Sequence, residues 1–492
     1  MSRGVKGQNV ISGFFWSFGE RITAQLITFV VTIILARLLT PGEYGVVALI
    51  LGFITLANVF VSNGLGEALV QDKQANEKDF SSIFWCSFVL SALLYAGIFF
   101  ASPFIATFFK NDTICPLLRV IALKLPISSI STIQHAYVSK HMQFKKFFFS
   151  TLGGTLISGV VGVAMAYMGF GPWAVVVQYL VNSSVDTIVL LITVPWRPHL
   201  WFDKRSAKRL IAFGWKMMIS AFINAAYGEI RSIVIGKVYS TEDLAQYKRG
   251  HQFPQLFITN INTAVSAVIF PAMAKVNDDI AEVKRLTRRA MVVTAYLIFP
   301  LMVGMAAVAE PLVKVLLTDK WLPCVNYLQL ACISFGLQPI QEANCQAIKS
   351  IGRSDVYLKM EIIKKTIGIG LLFAVINKGV TTIAIIEVVS ICISAVISVI
   401  PNKRLIGYSI FEQIKDLLPS LVMSAIMGLS VYPFTFLSCA PLVIVSAQFV
   451  VGVMVYLILS KLTKNEAFEY LLDIIQDIAQ KRKNQGAVNK EE

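Results

Sequence analysis

Long apolar segments recur along almost the whole chain, and they limit the folds available to it. The hydrocarbon core of a bilayer is about 30 Å thick, so a helical span needs roughly 20 mainly apolar residues. The apolar runs lack the strict alternation of a membrane β-barrel. The segments lie at about 10–38, 43–70, 81–109, 114–138, 147–168, 172–194, 210–238, 243–272, 289–317, 323–349, 356–377, 380–401, 415–435 and 440–461. The sequence predicts an all-α polytopic membrane protein with about 14 transmembrane helices.

The composition excludes a water-soluble chain. Of 492 residues, 56% are hydrophobic and 15% are charged, whereas soluble domains contain about 45–50% apolar and about 25% charged residues. The net charge of +15 would suggest nucleic acid in a soluble protein. Here most Lys and Arg residues lie in alternate connections, which is the charge pattern that orients membrane helices. We therefore expect cytoplasmic N- and C-termini, a lipid bilayer as partner and no nucleic acid.

A basic connector at 195–209 divides the chain, and the sequence on either side repeats weakly. Residues 9–40 align without gaps on 209–240, with Thr40 on Ser240 and Glu43 on Asp243. A parallel repeat of two six-helix bundles places a central cavity between them. The predicted division is an N-terminal lobe at 1–194, the cytoplasmic connector at 195–209, a C-terminal lobe at 210–401, two extra helices at 402–462 and a cytoplasmic tail at 463–492.

The tail begins with an amphipathic pattern. Its apolar positions are Phe468, Leu471, Leu472, Ile475 and Ile478. A helix with one apolar face lies on a membrane surface or packs against a neighbouring part of the protein. We expect the last ten residues to be disordered.

Ionisable residues inside the predicted spans are numerous, and cations outnumber acids. Such residues are costly in the membrane and typically face a water-filled cavity or a partner. A cationic chamber would select an anionic head group, because Arg and Lys bind phosphate oxygens. The predicted substrate-binding cations are Arg37, Arg231, Lys248, Arg249 and Lys364. Two alternatives stay open: Arg37 lies near a helix end and can snorkel to the interface, and Glu229 with Arg231 can form a structural pair.

Acids within the spans are candidates for ion coupling. The predicted set is Glu20, Asp186, Glu229 and Glu387. Two histidines, His135 and His251, are candidate proton carriers, and the alternative for each is a hydrogen-bonded packing role.

Sequence signatures of enzymes are missing from the chain. It contains no G-x-S-x-G, Walker A or H-E-x-x-H sequence. The seven cysteines include no C-x-x-C pair, and buried cysteine usually behaves as a small hydrophobe. The prediction is a protein that is not an enzyme, with no catalytic residues, metal site or cofactor.

Four short sequences carry a resemblance to a known family. They are LARLLTPGEYG at 35–45, FPAMAK at 270–275, TDKWL at 318–322 and LQL at 328–330. Together they resemble the Wzx-type polysaccharide-biosynthesis flippases, near the colanic-acid exporters, of the multidrug/oligosaccharidyl-lipid/polysaccharide (MOP) superfamily. The resemblance extends from about residue 5 to 460. It assigns no binding role to any single residue.

The resemblance implies a fold and a function. The implied fold is two six-helix lobes in a V around a central cavity, with two extra C-terminal helices. The implied activity is transfer of undecaprenyl-pyrophosphate-linked oligosaccharide, such as a lipopolysaccharide precursor, from the cytoplasmic to the outer leaflet of the bacterial inner membrane. Coupling to H⁺ or Na⁺, or no coupling, is compatible with it. A polysaccharide polymerase and glycosyltransferases would be partners in the pathway.

Two other functions stay open on sequence grounds. A multidrug or cation antiporter of the same superfamily should have a site dominated by buried acids, whereas the excess inside these spans is basic. A membrane polymerase or ligase for lipid-linked glycans should carry a sizeable extramembrane loop, whereas the predicted outside connections are short.

Overall fold

The computed structural model describes residues 19, 22–72, 75–143, 145–473 and 476, and every regular element in them is helical. The α-helices are α1 (Ile22–Leu38), α2 (Pro41–Ser62), α3 (Leu65–Gln71), α4 (Glu77–Phe109), α5 (Ile114–Ile121), α6 (Lys124–Lys140), α7 (Lys145–Tyr167), α8 (Pro172–Thr193), α9 (Lys204–Val238), α10 (Thr241–Lys275), α11 (Ile280–Ala307), α12 (Ala309–Leu316), α13 (Cys324–Gly336), α14 (Gln338–Ser350), α15 (Ser354–Val375), α16 (Val380–Leu405), α17 (Ile410–Val431) and α18 (Pro441–Leu462). Short 3₁₀ helices cover Asp319–Trp321 and Tyr432–Phe436.

Eleven helical segments in the described residues are long and apolar enough to cross a membrane. The all-helical, multi-pass class is therefore confirmed, and the count of about 14 stays a prediction. Three predicted spans are not among the eleven. Helix α1 covers only Ile22–Leu38 in the described chain, the predicted tenth span is divided into α13 and α14 at Leu337, and α15 carries five charges.

The two segments that align in the sequence end in the same way. The Thr40 hydroxyl accepts a hydrogen bond from the Glu43 amide at 3.3 Å, and α2 begins directly after it. The Ser240 hydroxyl accepts one from the Asp243 amide at 3.0 Å, and α10 begins at Thr241. An oxygen that caps the free amides of a first helical turn favours helix initiation. The weak repeat therefore corresponds to a shared helix start.

The chain forms two compact units, Met1–Ala245 and Gln246–Glu492. Helix α9 belongs to the first unit, where it packs on α2, α3 and α4. Helix α10 begins in the first unit and continues in the second. These units are defined by contacts alone, and the predicted transport lobes at 1–194 and 210–401 stay a prediction.

Glycines allow the closest helix approaches in the first unit. A Cβ on Gly45 of α2 would overlap the carbonyl group of Thr241 and stand 3.0 Å from its Cα. Gly64 separates α2 from α3 with φ of +89°, and a Cβ there would lie 2.5 Å from the carbonyl oxygen of Gly214 on α9. Both positions combine backbone contact with tight packing, and Gly64 also needs the left-handed backbone region that glycine enters without strain.

The second unit holds the last membrane helices and the start of the tail together by aromatic packing. Tyr296 of α11 donates to Ser460 Oγ at 2.9 Å, and Tyr456 donates to the Tyr296 carbonyl at 2.8 Å. Phe468 and Leu471 of the tail pack against this cluster. Leu472 is exposed, whereas Ile475, Ile478 and the last ten residues lie outside the described residues.

An ion-pair network adds to this docking. Arg288 of α11 donates to Asp416 Oδ1 at 3.0 Å and to both carboxylate oxygens of Glu466, with the shorter distance at 2.7 Å. The hydrogen bonds from Arg288 hold the pKa of Glu466 below its ordinary value. A carboxylate whose pKa is lowered in the folded state stabilises that state above its unfolded pKa, which is about 4.3, and the contribution is lost as pH falls through the folded pKa.

We therefore expect acid to loosen the tail. Protection of residues 463–473 from hydrogen exchange, corrected for the intrinsic pH dependence, should hold from pH 7 to about 5 and decrease below about 4. Glu466→Gln should weaken protection at pH 7 by up to about 1 kcal/mol, because Glu466 is largely exposed. Glu469→Gln, at an exposed position three residues on, is the matched control. An unchanged acid dependence in Glu466→Gln would contradict the assignment.

Candidate functional site

A histidine, a tyrosine and a glutamate meet inside the second unit. His251 Nε2 of α10 lies 3.0 Å from Glu387 Oε2 of α16, and Tyr247 donates its hydroxyl to the same oxygen at 2.7 Å. Tyr247 and His251 are four residues apart, so they share one face of α10. The side chains of His251 and Glu387 are 14% and 13% exposed. This cluster is therefore shielded by the helices of its own unit.

The geometry of the cluster allows a proton to be held between His251 and Glu387. His251 Nδ1 lies 3.0 Å from the Tyr247 carbonyl oxygen, which can only accept, so Nδ1 carries a hydrogen. A neutral imidazole protonated at Nδ1 presents a bare Nε2, which cannot bond to a bare carboxylate. Either the imidazole is doubly protonated or the Glu387 carboxyl carries the proton. The pair can thus hold one proton on either group.

The first unit contains a second pair of the same chemistry. His135 Nε2 of α6 lies 3.1 Å from Asp186 Oδ2 of α8, with side chains 38% and 18% exposed. The His135 ring packs 4.8 Å from the ring of Phe147. Gly154 lets α7 approach α8 here, because a Cβ would lie 3.1 Å from the Asn182 carbonyl oxygen, one turn before Asp186.

The sequence indicates each acid and each histidine of these two pairs as a candidate, but it does not show which acid lies beside which histidine. Glu387 and Asp186 each lie beside a histidine that is far away in the sequence, and only the helix packing brings each pair together. The other two predicted coupling acids are placed differently. Glu229 of α9 faces α2, where its Oε2 lies 3.3 Å from the position of a Cβ on Gly52. Glu20 lies outside the described residues.

Two of the five predicted cations are buried in the second unit and one is half-buried there. Arg249 is 3% exposed, donates to Gln252 Oε1 at 2.7 Å and lies 4.9 Å from the Trp321 ring centroid. Lys364 of α15 is 7% exposed and lies 3.1 Å from Glu361 Oε1. Lys248 is half-buried and points about 100° away from its neighbour Arg249. Arg249 and Lys364 thus lie against different neighbours, the Trp321 ring and the Glu361 carboxylate.

The other two predicted cations belong to the first unit. Arg231 of α9 is 9% exposed, and its guanidinium carbon lies 5.4 Å from the ring centroid of Tyr227, one turn earlier. Arg37 is exposed near the end of α1. A buried arginine next to an aromatic ring gains cation–π attraction that partly replaces hydration. The burial of Arg231 and Arg249 is thus accompanied by compensating contacts.

A polar groove between α10 and α14 was not recognised from the sequence. It has a volume of about 500 Å³ and is lined by Asn262, Thr263, Ser266, Phe270, Glu342 and Gln346. Ser266 donates to Glu342 Oε1 at 3.2 Å, and Asn262 donates to Gln338 Oε1 at 2.7 Å. The available sequence signal is a set of polar residues in the predicted spans at 243–272 and 323–349. Within the described chain, no three His, Cys, Asp or Glu side chains are grouped to hold a metal ion.

Eleven candidate spans and the charges buried within the helices define a multi-pass helical membrane protein. The sequence matches the model of a family described as polysaccharide biosynthesis protein over residues 34–326. The chain belongs to this family. The predicted resemblance to the Wzx-type flippases of the MOP superfamily is confirmed.

Individual proteins are similar to the chain over most of its length. The succinoglycan biosynthesis transport protein ExoT of Rhizobium meliloti (strain 1021) is 25% identical over 365 residues, which is 74% of each chain. The lipopolysaccharide biosynthesis protein WzxC of Escherichia coli (strain K12) is 22% identical over 361 residues, or 73% of each chain.

Solved structures show that the fold is shared. The lipid II flippase MurJ in an inward closed conformation has a TM-score of 0.73 at 17% identity, covering 92% of this chain and 98% of that one. An inward-facing multidrug resistance MATE family transporter of the MOP superfamily has a TM-score of 0.62 at 14% identity, covering 78% and 94%.

Proposed function

We propose that the protein is a flippase that moves an undecaprenyl-pyrophosphate-linked oligosaccharide, or a related polysaccharide precursor, from the cytoplasmic to the outer leaflet of the bacterial inner membrane by alternating access. The observation that carries the proposal is the burial of Arg231, Arg249 and Lys364 in helices of a polysaccharide biosynthesis family member. Both termini are cytoplasmic in this proposal, and the protein acts as a transporter rather than an enzyme. A polymerase and glycosyltransferases work before and after it.

Cations inside the membrane can stabilise the negatively charged part of this cargo during its transfer. A pyrophosphate carries negative charge that cannot cross hydrocarbon without partners, and buried cations replace the water around it. Arginine offers a planar fork of donors for phosphate oxygens, whereas lysine acts as a point charge. Arg37, Arg231, Lys248, Arg249 and Lys364 are the proposed set. The relatives ExoT and WzxC are named for polysaccharide transport and biosynthesis, which supports a glycan cargo.

The polar groove between α10 and α14 supports contact with the glycan part. Its amide, hydroxyl and carboxylate groups can donate to and accept from sugar hydroxyls. Phe270 adds an apolar face that is 38% exposed. Polar side chains beside one aromatic ring can contact a hydroxyl-rich ligand.

Proton coupling is the proposed energy source. An imidazole nitrogen 3.0 Å from the Glu387 carboxylate holds a proton, whereas hard metal cations prefer cages made only of oxygen ligands. The cluster of Tyr247, His251 and Glu387 therefore favours H⁺ over Na⁺. The pair of His135 and Asp186 is a second candidate, and Glu20 and Glu229 complete the proposed set.

Alanine substitutions at the buried arginines test the cargo assignment. We expect Arg231→Ala and Arg249→Ala each to lower export by roughly 10- to 100-fold, since a charge-assisted hydrogen bond contributes about 1.5–3 kcal/mol. The measurement is the initial rate at which labelled polysaccharide reaches the surface of cells that carry only the variant. Arg404→Ala, which removes an exposed cation near the end of α16, is the matched control.

Folding and function have to be separated in this test. Variant amounts in the membrane and thermal stability in detergent are measured alongside export, and Arg249→Lys keeps the charge with a smaller change in packing. Wild-type export by Arg37→Ala, Arg231→Ala, Lys248→Ala, Arg249→Ala and Lys364→Ala at equal expression would refute the proposal. Loss of organic-cation efflux with intact polysaccharide export would favour the antiporter alternative. Loss of polymerised glycan with intact flipping would favour the polymerase alternative.

A further inference from the structure

An apolar groove runs between residues 85–93 of α4 and the connector after α8. The groove has a volume of about 630 Å³. Helix α4 contributes one side and Leu200 and Phe202 of the connector contribute the other. Its full lining is Trp85, Cys86, Val89, Leu90, Leu93, Leu200 and Phe202. An open apolar groove of this size on a membrane helix can hold a lipid chain.

The connector is fixed to α4 by hydrogen bonds rather than by chance contact. Trp85 Nε1 donates to the His199 carbonyl at 3.0 Å, and the His199 amide donates to Ser81 Oγ at 3.2 Å. The Asp203 amide donates to Ser82 Oγ at 2.9 Å. These bonds hold the residues between them in place against the helix, so the groove has a defined wall.

The fixed connector exposes large apolar side chains. Leu200, Trp201 and Phe202 are 88%, 56% and 53% exposed. Three consecutive exposed apolar residues with a tryptophan are unfavourable in water and typical of the boundary between head groups and hydrocarbon. We therefore place the connector at the bilayer interface and the apolar face of α4, including Val89 and Leu93, in the hydrocarbon.

Cations lie next to the connector side of the groove. Lys78 Nζ lies 5.3 Å from the Trp201 ring centroid, and Lys204, Arg205 and Lys208 follow the connector on exposed positions. In the described residues, none of these four cations forms an ion pair with a carboxylate. Among the neighbouring acids, Glu77 is exposed and Asp203 accepts a hydrogen bond from the Arg205 amide at 2.9 Å. Asp72 lies 2.9 Å from Arg209, and Asp79 lies 3.9 Å from it. The rim therefore keeps an excess of positive charge.

We propose that this groove is a binding site for an anionic membrane phospholipid, with one acyl chain along α4 and the phosphate against Lys78, Lys204 and Arg205. Bilayer tails are as apolar as the groove, so the chain alone gives no preference over other lipids. Preference comes from the head group, because each Lys or Arg near an anionic membrane surface contributes a factor of about five in association. The site lies on the first unit and is independent of the proposed cargo.

Quenching of tryptophan fluorescence by brominated lipid tests the assignment. The full chain is reconstituted in zwitterionic bilayers containing a small fraction of phosphatidylglycerol or phosphatidylcholine with brominated acyl chains. Trp85 and Trp201 lie at the groove, and Trp85→Phe with Trp201→Phe identifies their share of the signal. We expect brominated phosphatidylglycerol to quench this share at roughly tenfold or more lower mole fraction than brominated phosphatidylcholine.

Variants decide the result. Lys78→Gln with Lys204→Gln and Arg205→Gln should remove the preference, and so should raised salt, which screens exposed charges. The control variant Lys403→Gln with Arg404→Gln and Lys461→Gln removes three exposed cations of the second unit. It should keep the preference for phosphatidylglycerol. Val89→Phe should reduce groove quenching by both lipids.

Equal quenching by both lipids, or a preference that survives the first triple variant, would overturn the proposal. Stronger displacement by a polyprenyl phosphate than by phosphatidylglycerol at equal mole fraction would assign the groove to the cargo instead and also overturn it.

Discussion

Replacing Gly45 by alanine should prevent the first unit from reaching its native packing. A Cβ at this position would overlap the carbonyl group of Thr241 and stand 3.0 Å from the Thr241 Cα. Because these are backbone atoms, they cannot rotate aside as a flexible side chain can, so α2 and the start of α10 would have to separate. Overpacking of a core typically costs about 1–3 kcal/mol, and a backbone clash belongs at or above the upper end of that range.

The measurement is the amount and thermal stability of monodisperse protein after extraction, with surface polysaccharide as the functional readout. Gly42→Ala is a sharp control, since it lies one turn earlier on the same helix and a Cβ there would meet nothing within 4 Å. That change should be neutral or stabilise by up to about 1 kcal/mol, because alanine favours helix over glycine. Equal stability of the Gly45→Ala and Gly42→Ala proteins would show that α2 and α10 do not approach as closely as described.

Glu387→Gln is expected to remove proton-driven transport while leaving the fold in place. Glutamine nearly matches glutamate in size, and an amide oxygen in the position of Oε2 can still accept from the Tyr247 hydroxyl. It cannot carry the proton that the proposed coupling requires. If the pair drives transport, the initial rate should fall by about tenfold or more, and its dependence on an imposed proton gradient should disappear.

The assay is uptake of labelled lipid-linked glycan into vesicles across pH 6–8, with and without a protonophore. Tyr247→Phe removes one hydrogen bond to Glu387 but keeps both proton carriers, so it should shift the pH profile and retain gradient dependence. Asp186→Asn makes the equivalent change in the first unit and separates the two pairs. Full gradient dependence in Glu387→Gln would exclude the second-unit cluster as the coupling site, and the same result in Asp186→Asn would exclude the other pair.

Local sequence patterns were sufficient for the membrane class and for many helix ends. Thr40 with Glu43 and Ser240 with Asp243 place the starts of α2 and α10, because capping depends on residues only three positions apart. The break between α13 and α14 at Leu337 was not predicted, although Pro339 in the first turn of α14 is a local signal for a new helix start.

The candidate site was predictable in its composition and not in its contacts. An intramembrane charge is conspicuous in a sequence because burial of an unpartnered charge is costly, which is why Arg249, Lys364, Asp186 and Glu387 were all named. Their partners could not be named, since Trp321 lies 72 positions from Arg249 and Glu387 lies 136 positions from His251. Tyr247 and the groove around Glu342 carry no sequence signature of their own.

By itself, the sequence determined an all-helical chain that crosses a membrane many times, because the bilayer's thickness and the need to satisfy backbone hydrogen bonds leave few other structures. It also determined which kinds of charge lie inside the membrane. Only the tertiary structure decided that α9 packs with the first unit, that each unit pairs a histidine with an acid, and that the connector forms a groove with α4. Hydropathy depends on neighbouring residues alone, whereas these contacts depend on which helix faces meet after the chain has folded.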